Sequence, residues 1–154
     1  MLALITIGLP AAGKTTFALA QAGFDDLNLD ACREAVSGDA SNQDATTAAV
    51  ALRDDRLAAA VAAGRPVVIS DTNLVPTHRR ELVERLRAAG YDVRFVVLET
   101  PYETCLARNA ARARMVPEHA MARMAGVLAA HPPEACALAL GVELLRVSGV
   151  TPAA

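Results

Sequence analysis

Gly8-Leu9-Pro10-Ala11-Ala12-Gly13-Lys14-Thr15 fits the pattern G-x-x-x-x-G-K-[ST], and its reading decides the fold. Glycines let the backbone turn tightly, so that successive N–H groups converge on a phosphate. The lysine of the pattern reaches the outer phosphates, and the hydroxyl that follows can ligate Mg²⁺. The flanks agree with this reading. Leu2 to Ile7 is an apolar, partly β-branched run that predicts a strand, and Thr15 to Ala22 reads as a short helix stopped at Gly23. By chance the octapeptide arises in under about one chain in a hundred of this length. Of the 15 residues that are lysine or arginine, only Lys14 is lysine. A compact ammonium on a flexible stem fits between phosphates where a planar guanidinium does not.

Working outward, the chain alternates strand and helix. Phe24 to Leu29 predicts a short second strand, and Asp30 stands where a helix can begin, as an N-cap. A polar loop, Ser37 to Gln43, precedes a long alanine-rich helix from Asp44 to Ala63. Pro66-Val67-Val68-Ile69-Ser70-Asp71 then reads as a buried strand of Walker-B type, delivering a carboxylate to its C-terminal end. Pro76 opens a helix running to about Ala89, on which His78, Arg79, Arg80 and their charged neighbours form the solvated face. Asp92 to Leu98 is the fourth strand. Tyr102 to about Ala113 is helical, a further helix follows Pro117, a short one spans Glu134 to Leu140, and Val142 to Val147 is the last strand. The expected fold is α/β: a three-layer sandwich with a mostly parallel five-stranded sheet and a helical lid. One domain covers residues 1–150, with 151–154 a loose tail.

Composition narrows the function. A net charge of −2 and a sequence pI near 5.9 argue against a broad basic surface for duplex nucleic acid. Two tyrosines, three phenylalanines and no tryptophan leave no extended base-stacking platform. Cys32, Cys105 and Cys136 are widely spaced and read as reduced thiols of a cytoplasmic protein. No signal peptide is recognisable, and no apolar stretch reaches membrane-spanning length without charge. An oligomer is left open.

Ligands of parallel α/β sheets bind at the C-terminal ends of the strands. That brings four segments to one rim: the phosphate loop, Asp30 to Arg33, Asp71 to Asn73, and the helix bearing Arg108 and Arg112. Gly8, Pro10, Ala11, Ala12, Gly13, Lys14, Thr15 and Thr16 are the candidate ATP-binding residues, with other nucleoside triphosphates as possible donors. Thr15 holds Mg²⁺, with Asp71 beside it or acting through water. Phosphoryl transfer needs a carboxylate to take the proton of the attacking hydroxyl. Asp30 and Asp71 both qualify, and Asp30 is the better candidate because Asp71 is committed to the metal side. Arg108 and Arg112, four apart on a helix, can close over the γ-phosphate.

Ile5 to Thr16, Asn28-Leu29-Asp30-Ala31-Cys32-Arg33, Val68 to Pro76, Arg108-Asn109-Ala110-Ala111-Arg112 and Val116-Pro117 together resemble the polynucleotide 5′-kinase family, the kinase module of phage and bacterial end-healing enzymes. The resemblance runs in order from about residue 3 to about residue 147. It implies that Asp30 is the general base for a 5′-hydroxyl and that Arg33 contacts the acceptor or its adjacent phosphate. It implies that Arg108 and Arg112 are lid arginines on the donor phosphates, and that Asp71, Thr72 and Asn73 shape the acceptor pocket. The phage-like form has Asn-Arg-Asp-Asp where this chain has Asn28-Leu29-Asp30-Ala31. The expected activity is transfer from ATP to a 5′-OH end of single-stranded RNA or DNA, a nucleic-acid repair reaction. The same rim also suits a small-molecule hydroxyl such as a nucleoside, sugar or antibiotic, and a third reading is a nucleotide-binding module without transfer.

Overall fold

In the computed structural model, which describes residues 1–149, β1 (Leu2–Ile7) is the central strand. Its backbone pairs on one side with β3 (Val67–Ile69) and on the other with β4 (Asp92–Glu99). Outside these lie β2 (Asp25–Asp26) and β5 (Glu143–Ser148), giving a five-stranded sheet in the order β2-β3-β1-β4-β5 with every pair parallel. The expected fold class holds; the sheet is wholly rather than mostly parallel. The expected tail, 151–154, lies outside the described residues.

Alternation along the strands separates two apolar layers. Ala3, Ile5, Ile7, Val67, Ile69, Val93, Phe95 and Val97 face α3 (Thr46–Ala62), α4 (Pro76–Ala88) and α7 (Pro133–Leu140), which contribute Ala60, Leu82, Val83, Leu86 and Ala137. Leu4, Val68, Val96 and Leu98 face α1 (Lys14–Leu19), α5 (Tyr102–Ala110) and α6 (Glu118–Ala130), through Ala18, Cys105 and Met121. Phe95 is fully buried in the first layer, so truncating it to alanine should cost about 3–5 kcal/mol.

Several boundaries differ from the sequence expectation, each for a local reason. The second strand shrinks to two residues because Asn28 leaves it to cap α2 (Leu29–Ser37), accepting from the Ala31 amide at 2.9 Å. Asn28, not Asp30, is therefore the N-cap, and Asp30 lies in the first turn. The long helix begins at Thr46, after a 3-10 turn over Gln43–Ala45 capped by Asn42. The helix bearing Arg108 stops at Ala110, so Arg112 lies beyond it and the two arginines do not share a helical face. Arg79 is no part of a solvated face. It is fully buried, donating to the carbonyls of Leu74 at 3.2 Å and His131 at 2.8 Å, and so ties α4 to the end of α6.

Candidate active site

β1 runs into the phosphate loop, and packing explains the first glycine. A Cβ on Gly8 would stand 3.2 Å from the Cβ of Leu98 and 3.3 Å from that of Ala12. The loop then turns through two left-handed residues, Ala11 at φ 61° and Gly13 at φ 102°. For alanine that conformation is uncommon and costs energy, a mark of a loop shaped for a ligand. Thr100, leaving β4, pins the loop by donating its hydroxyl to the Ala12 carbonyl at 2.8 Å. The amides of Gly13, Lys14, Thr15 and Thr16 find no acceptor within the described residues. Four open donors at the start of a helix form an anion cradle.

Lys14 is 8% exposed. Its ammonium donates to the carbonyls of Gly8 at 3.1 Å and Leu9 at 2.6 Å. Burial pushes its pKa down to about 8. A buried cation with a depressed pKa is restored by an arriving phosphate, whose charge favours the protonated form.

The opposite wall is built by side chains from three elements. Asp71, just past β3, accepts from the Leu29 amide at 2.9 Å and from the Asn28 side chain at 3.4 Å, both through Oδ1. Its Oδ2 pairs with Arg53 of α3 at 3.3 Å. Burial raises the Asp71 pKa, opposed by the Leu29 amide and Arg53. Ser70 continues the network, receiving from Asn28 at 3.1 Å and donating to Asp26 at 2.8 Å. Asn73, in the left-handed region at φ 47°, donates to the Thr6 carbonyl at 2.8 Å and fixes the turn after β3 to β1. Asp30 projects into solvent, pairing with Arg33 at 2.5 Å and with Arg114 at 3.5 Å. Arg33 is itself buried and reaches the Thr46 hydroxyl at 3.3 Å.

The third side is a lid loop closed by one residue. Asn109 donates to the Val116 carbonyl at 2.8 Å and accepts from the Val116 amide at 3.0 Å. This clasp turns the chain back after α5 and carries Arg112 and Arg114 to the cleft.

All three sides line one cleft of about 670 Å³. Pro10, Ala11, Gly13, Lys14, Thr15, Thr16, Asp30, Arg33, Asp71, Thr72, Asn73, Arg108 and Arg112 are on its wall, as the rim argument expects; Gly8 and Ala12 lie behind it and shape the loop. Five of its lining residues are cations (Lys14, Arg33, Arg108, Arg112, Arg114) and two are carboxylates (Asp30, Asp71). A chain of net charge −2 thus concentrates positive charge in its main cleft, which favours an anionic ligand.

The residues fit a nucleoside triphosphate: the open amides and Lys14 match its phosphate oxygens. They fit Mg²⁺ only as a companion of the phosphates. Among the described residues no group of three or more His, Cys, Asp or Glu could hold a metal. The Thr15 hydroxyl is one oxygen ligand, and Mg²⁺ characteristically takes phosphate oxygens and water for the rest.

The model of a family described as AAA domain matches residues 4–131. The chain belongs to this family. No curated protein matches it in sequence. Among solved structures, a chain of the Pnkp1/Rnl/Hen1 RNA repair complex is similar at 20% identity and a TM-score of 0.74, covering 86% of this chain and 45% of that one. A sugar kinase from Janibacter sp. HTCC2649 is 20% identical with a TM-score of 0.65, over 99% of this chain and 87% of that one. A gluconokinase from Sinorhizobium meliloti 1021 is 21% identical with a TM-score of 0.61, over 98% and 84%. The likeness is one of fold: this AAA domain has the phosphate-loop architecture found in those proteins.

Sequence reasoning missed Arg53, Arg114 and the capping and bridging role of Asn28. Arg53 had a signal. It falls on the stripe Ala49-Arg53-Leu57-Ala60, whose other members are apolar and face inward. A charge on such a stripe needs a buried partner.

Proposed function

We propose that the chain is an ATP-dependent phosphotransferase acting on the 5′-hydroxyl end of single-stranded RNA or DNA. The observation that carries this reading is the meeting of Asp30, ion-paired to Arg33, with the phosphate-loop Lys14 on the wall of one cleft. The attacking hydroxyl oxygen bonds to the γ-phosphorus, the bond from that phosphorus to the β–γ bridging oxygen breaks, and ADP leaves. Asp30 takes the hydroxyl proton. Lys14 and the amides of Gly13 to Thr16 hold the β- and γ-phosphates. Arg108 and Arg112 neutralise charge that builds on the transferring group. Arg33 holds the acceptor beside Asp30, and Asp71, Thr72 and Asn73 bound the acceptor pocket. Mg²⁺, arriving on the nucleotide beside Thr15, would supply further charge neutralisation.

The cationic lining favours an acceptor that is itself anionic, and a nucleic-acid end carries a phosphate next to its terminal nucleoside. The fold resemblance to the RNA-repair chain agrees. A sugar or other small-molecule hydroxyl is the competing acceptor, favoured by the likeness to the sugar kinase and gluconokinase and by the scarcity of aromatic residues. Labelled ATP offered together with 5′-OH RNA, 5′-OH DNA, nucleosides and sugars separates them. Label on an oligonucleotide end is the expected result, and label only on a small molecule would replace this reading with the second.

A further inference from the structure

Asp71 stands where a strand of Walker-B type delivers its carboxylate, yet both of its oxygens already have partners within the protein. Oδ1 receives the Leu29 amide and the Asn28 side chain, and Oδ2 faces the Arg53 guanidinium at 3.3 Å. A cation at Oδ2 would displace Arg53 or sit against its like charge, which is unfavourable in a partly buried site. The carboxylate side chain is 17% exposed and that of Arg53 8%. Neither charge is kept in such a place without a partner.

What Asp71 does hold is a helix. Leu29 is the first residue of α2, and Asp30 and Arg33 follow on the same helix. An anion against the first amide of a helix is favourable through hydrogen bonding and through the helix dipole. Arg53 lies on α3, seven residues or about 10 Å along the helix from Thr46, and Thr46 receives the Arg33 side chain at 3.3 Å. So α3 grips α2 directly, through Thr46 and Arg33 and through Arg56 and the Cys32 thiol at 3.5 Å, and indirectly through Arg53, Asp71 and Leu29.

We propose that Arg53 is a positioning residue for phosphoryl transfer, holding Asp71 against the start of α2 so that Asp30 and Arg33 face the donor phosphate, and that Asp71 serves this pair rather than the metal. The proposal rests on the reading of Asp30 as the base. It gives the least exposed ion pair at the cleft among the described residues a function, and it assigns a role to a residue far in sequence from every motif.

The test compares Arg53→Gln, Arg53→Lys and Asp71→Asn by steady-state kinetics and by amide exchange at Leu29. For Arg53→Gln, kcat should fall by about 10²-fold, the scale of a small misplacement of reacting groups. The KM for ATP and the Mg²⁺ concentration at half-saturation should stay within about twofold, since uniform binding is untouched. Exchange at the Leu29 amide should quicken by about 10-fold as its acceptor loosens. Arg53→Lys should recover most of the kcat. If Arg53→Gln does not fold, Asp71→Asn, which has the same shape, is read in the same way. A Mg²⁺ requirement that rises in step with the loss of kcat, with Leu29 exchange unchanged, would overturn the proposal and return Asp71 to the metal. Should wild-type protein transfer phosphate to no acceptor, the functional reading fails, while Leu29 exchange still decides whether Arg53 holds α2.

Discussion

The two halves of the cleft are built on opposite principles. On the proposed donor side, nine consecutive residues, Gly8 to Thr16, make the site: four amides have no acceptor among the described residues, and Lys14 folds back on loop carbonyls. On the proposed acceptor side, Asn28, Asp30, Arg33, Arg53, Asp71 and Arg114 come from four separate parts of the chain, and each already has a partner. The difference teaches what each half must do. A triphosphate is always the same ligand, so its site can be stored as backbone shape. On the proposed reading an acceptor hydroxyl must be aligned with a base, and a cross-linked network that fixes one helix suits that task.

The largest expected effect breaks the donor half. Lys14→Ala should lower turnover by about 10³-fold or more while circular dichroism and melting stay near wild type. Near-normal turnover would show that the loop shape alone carries the donor site. Arg108→Ala should cost about 10²-fold in kcat, with a smaller change in KM for ATP, if that arginine acts on charge developing in transfer. A change in KM alone would make it a binding residue. Asn109→Ala tests the clasp between the halves. Losing both bonds to Val116 should cost about 1–3 kcal/mol of stability and lower turnover by about 10-fold through the displaced lid arginines; an unchanged melting temperature would mean that the loop needs no clasp.

The smallest effect is a proton. In the free protein Lys14 is held down to about 8 by burial, and bound phosphates raise it. Between pH 8 and 9 the free protein has therefore lost part of a proton that the complex keeps. Binding of ATP should take up a fraction of a proton there, and affinity should fall as pH rises, by at most about tenfold per unit. Calorimetry in buffers of different ionisation enthalpy reads the uptake. Absence of uptake, or the same uptake in Lys14→Ala, would remove Lys14 from the donor site.

This contrast also decides what could be read in advance. The sheet was legible because near-continuous apolar strands and alternating helices leave one sensible arrangement, and the phosphate loop because it is local. The cleft membership of Asp30, Arg33, Asp71 and Arg108 followed from the rule that ligands gather at strand ends. What escaped were partners set by tertiary approach. Nothing near Arg53 in sequence says that it meets Asp71, eighteen residues on, and nothing near Arg79 says that its guanidinium reaches the His131 carbonyl across the fold. The end of α5 escaped for a related reason: Ala110 to Ala113 suits a helix, but the Asn109 side chain turns the backbone toward Val116. Propensity was overridden by a side chain competing for backbone bonds.

The central claim is that donor and acceptor halves meet in one transfer reaction with Asp30 as its base. The most direct measurement is label transfer from γ-labelled ATP with Mg²⁺ to a 5′-OH oligonucleotide, by wild type and by Asp30→Asn. The account predicts label at the 5′ end with wild type, reduced by about 10²-fold or more in Asp30→Asn, and equal ATP affinity in both. Equal transfer by both proteins, or no label on any acceptor from wild-type protein that binds ATP, would contradict it.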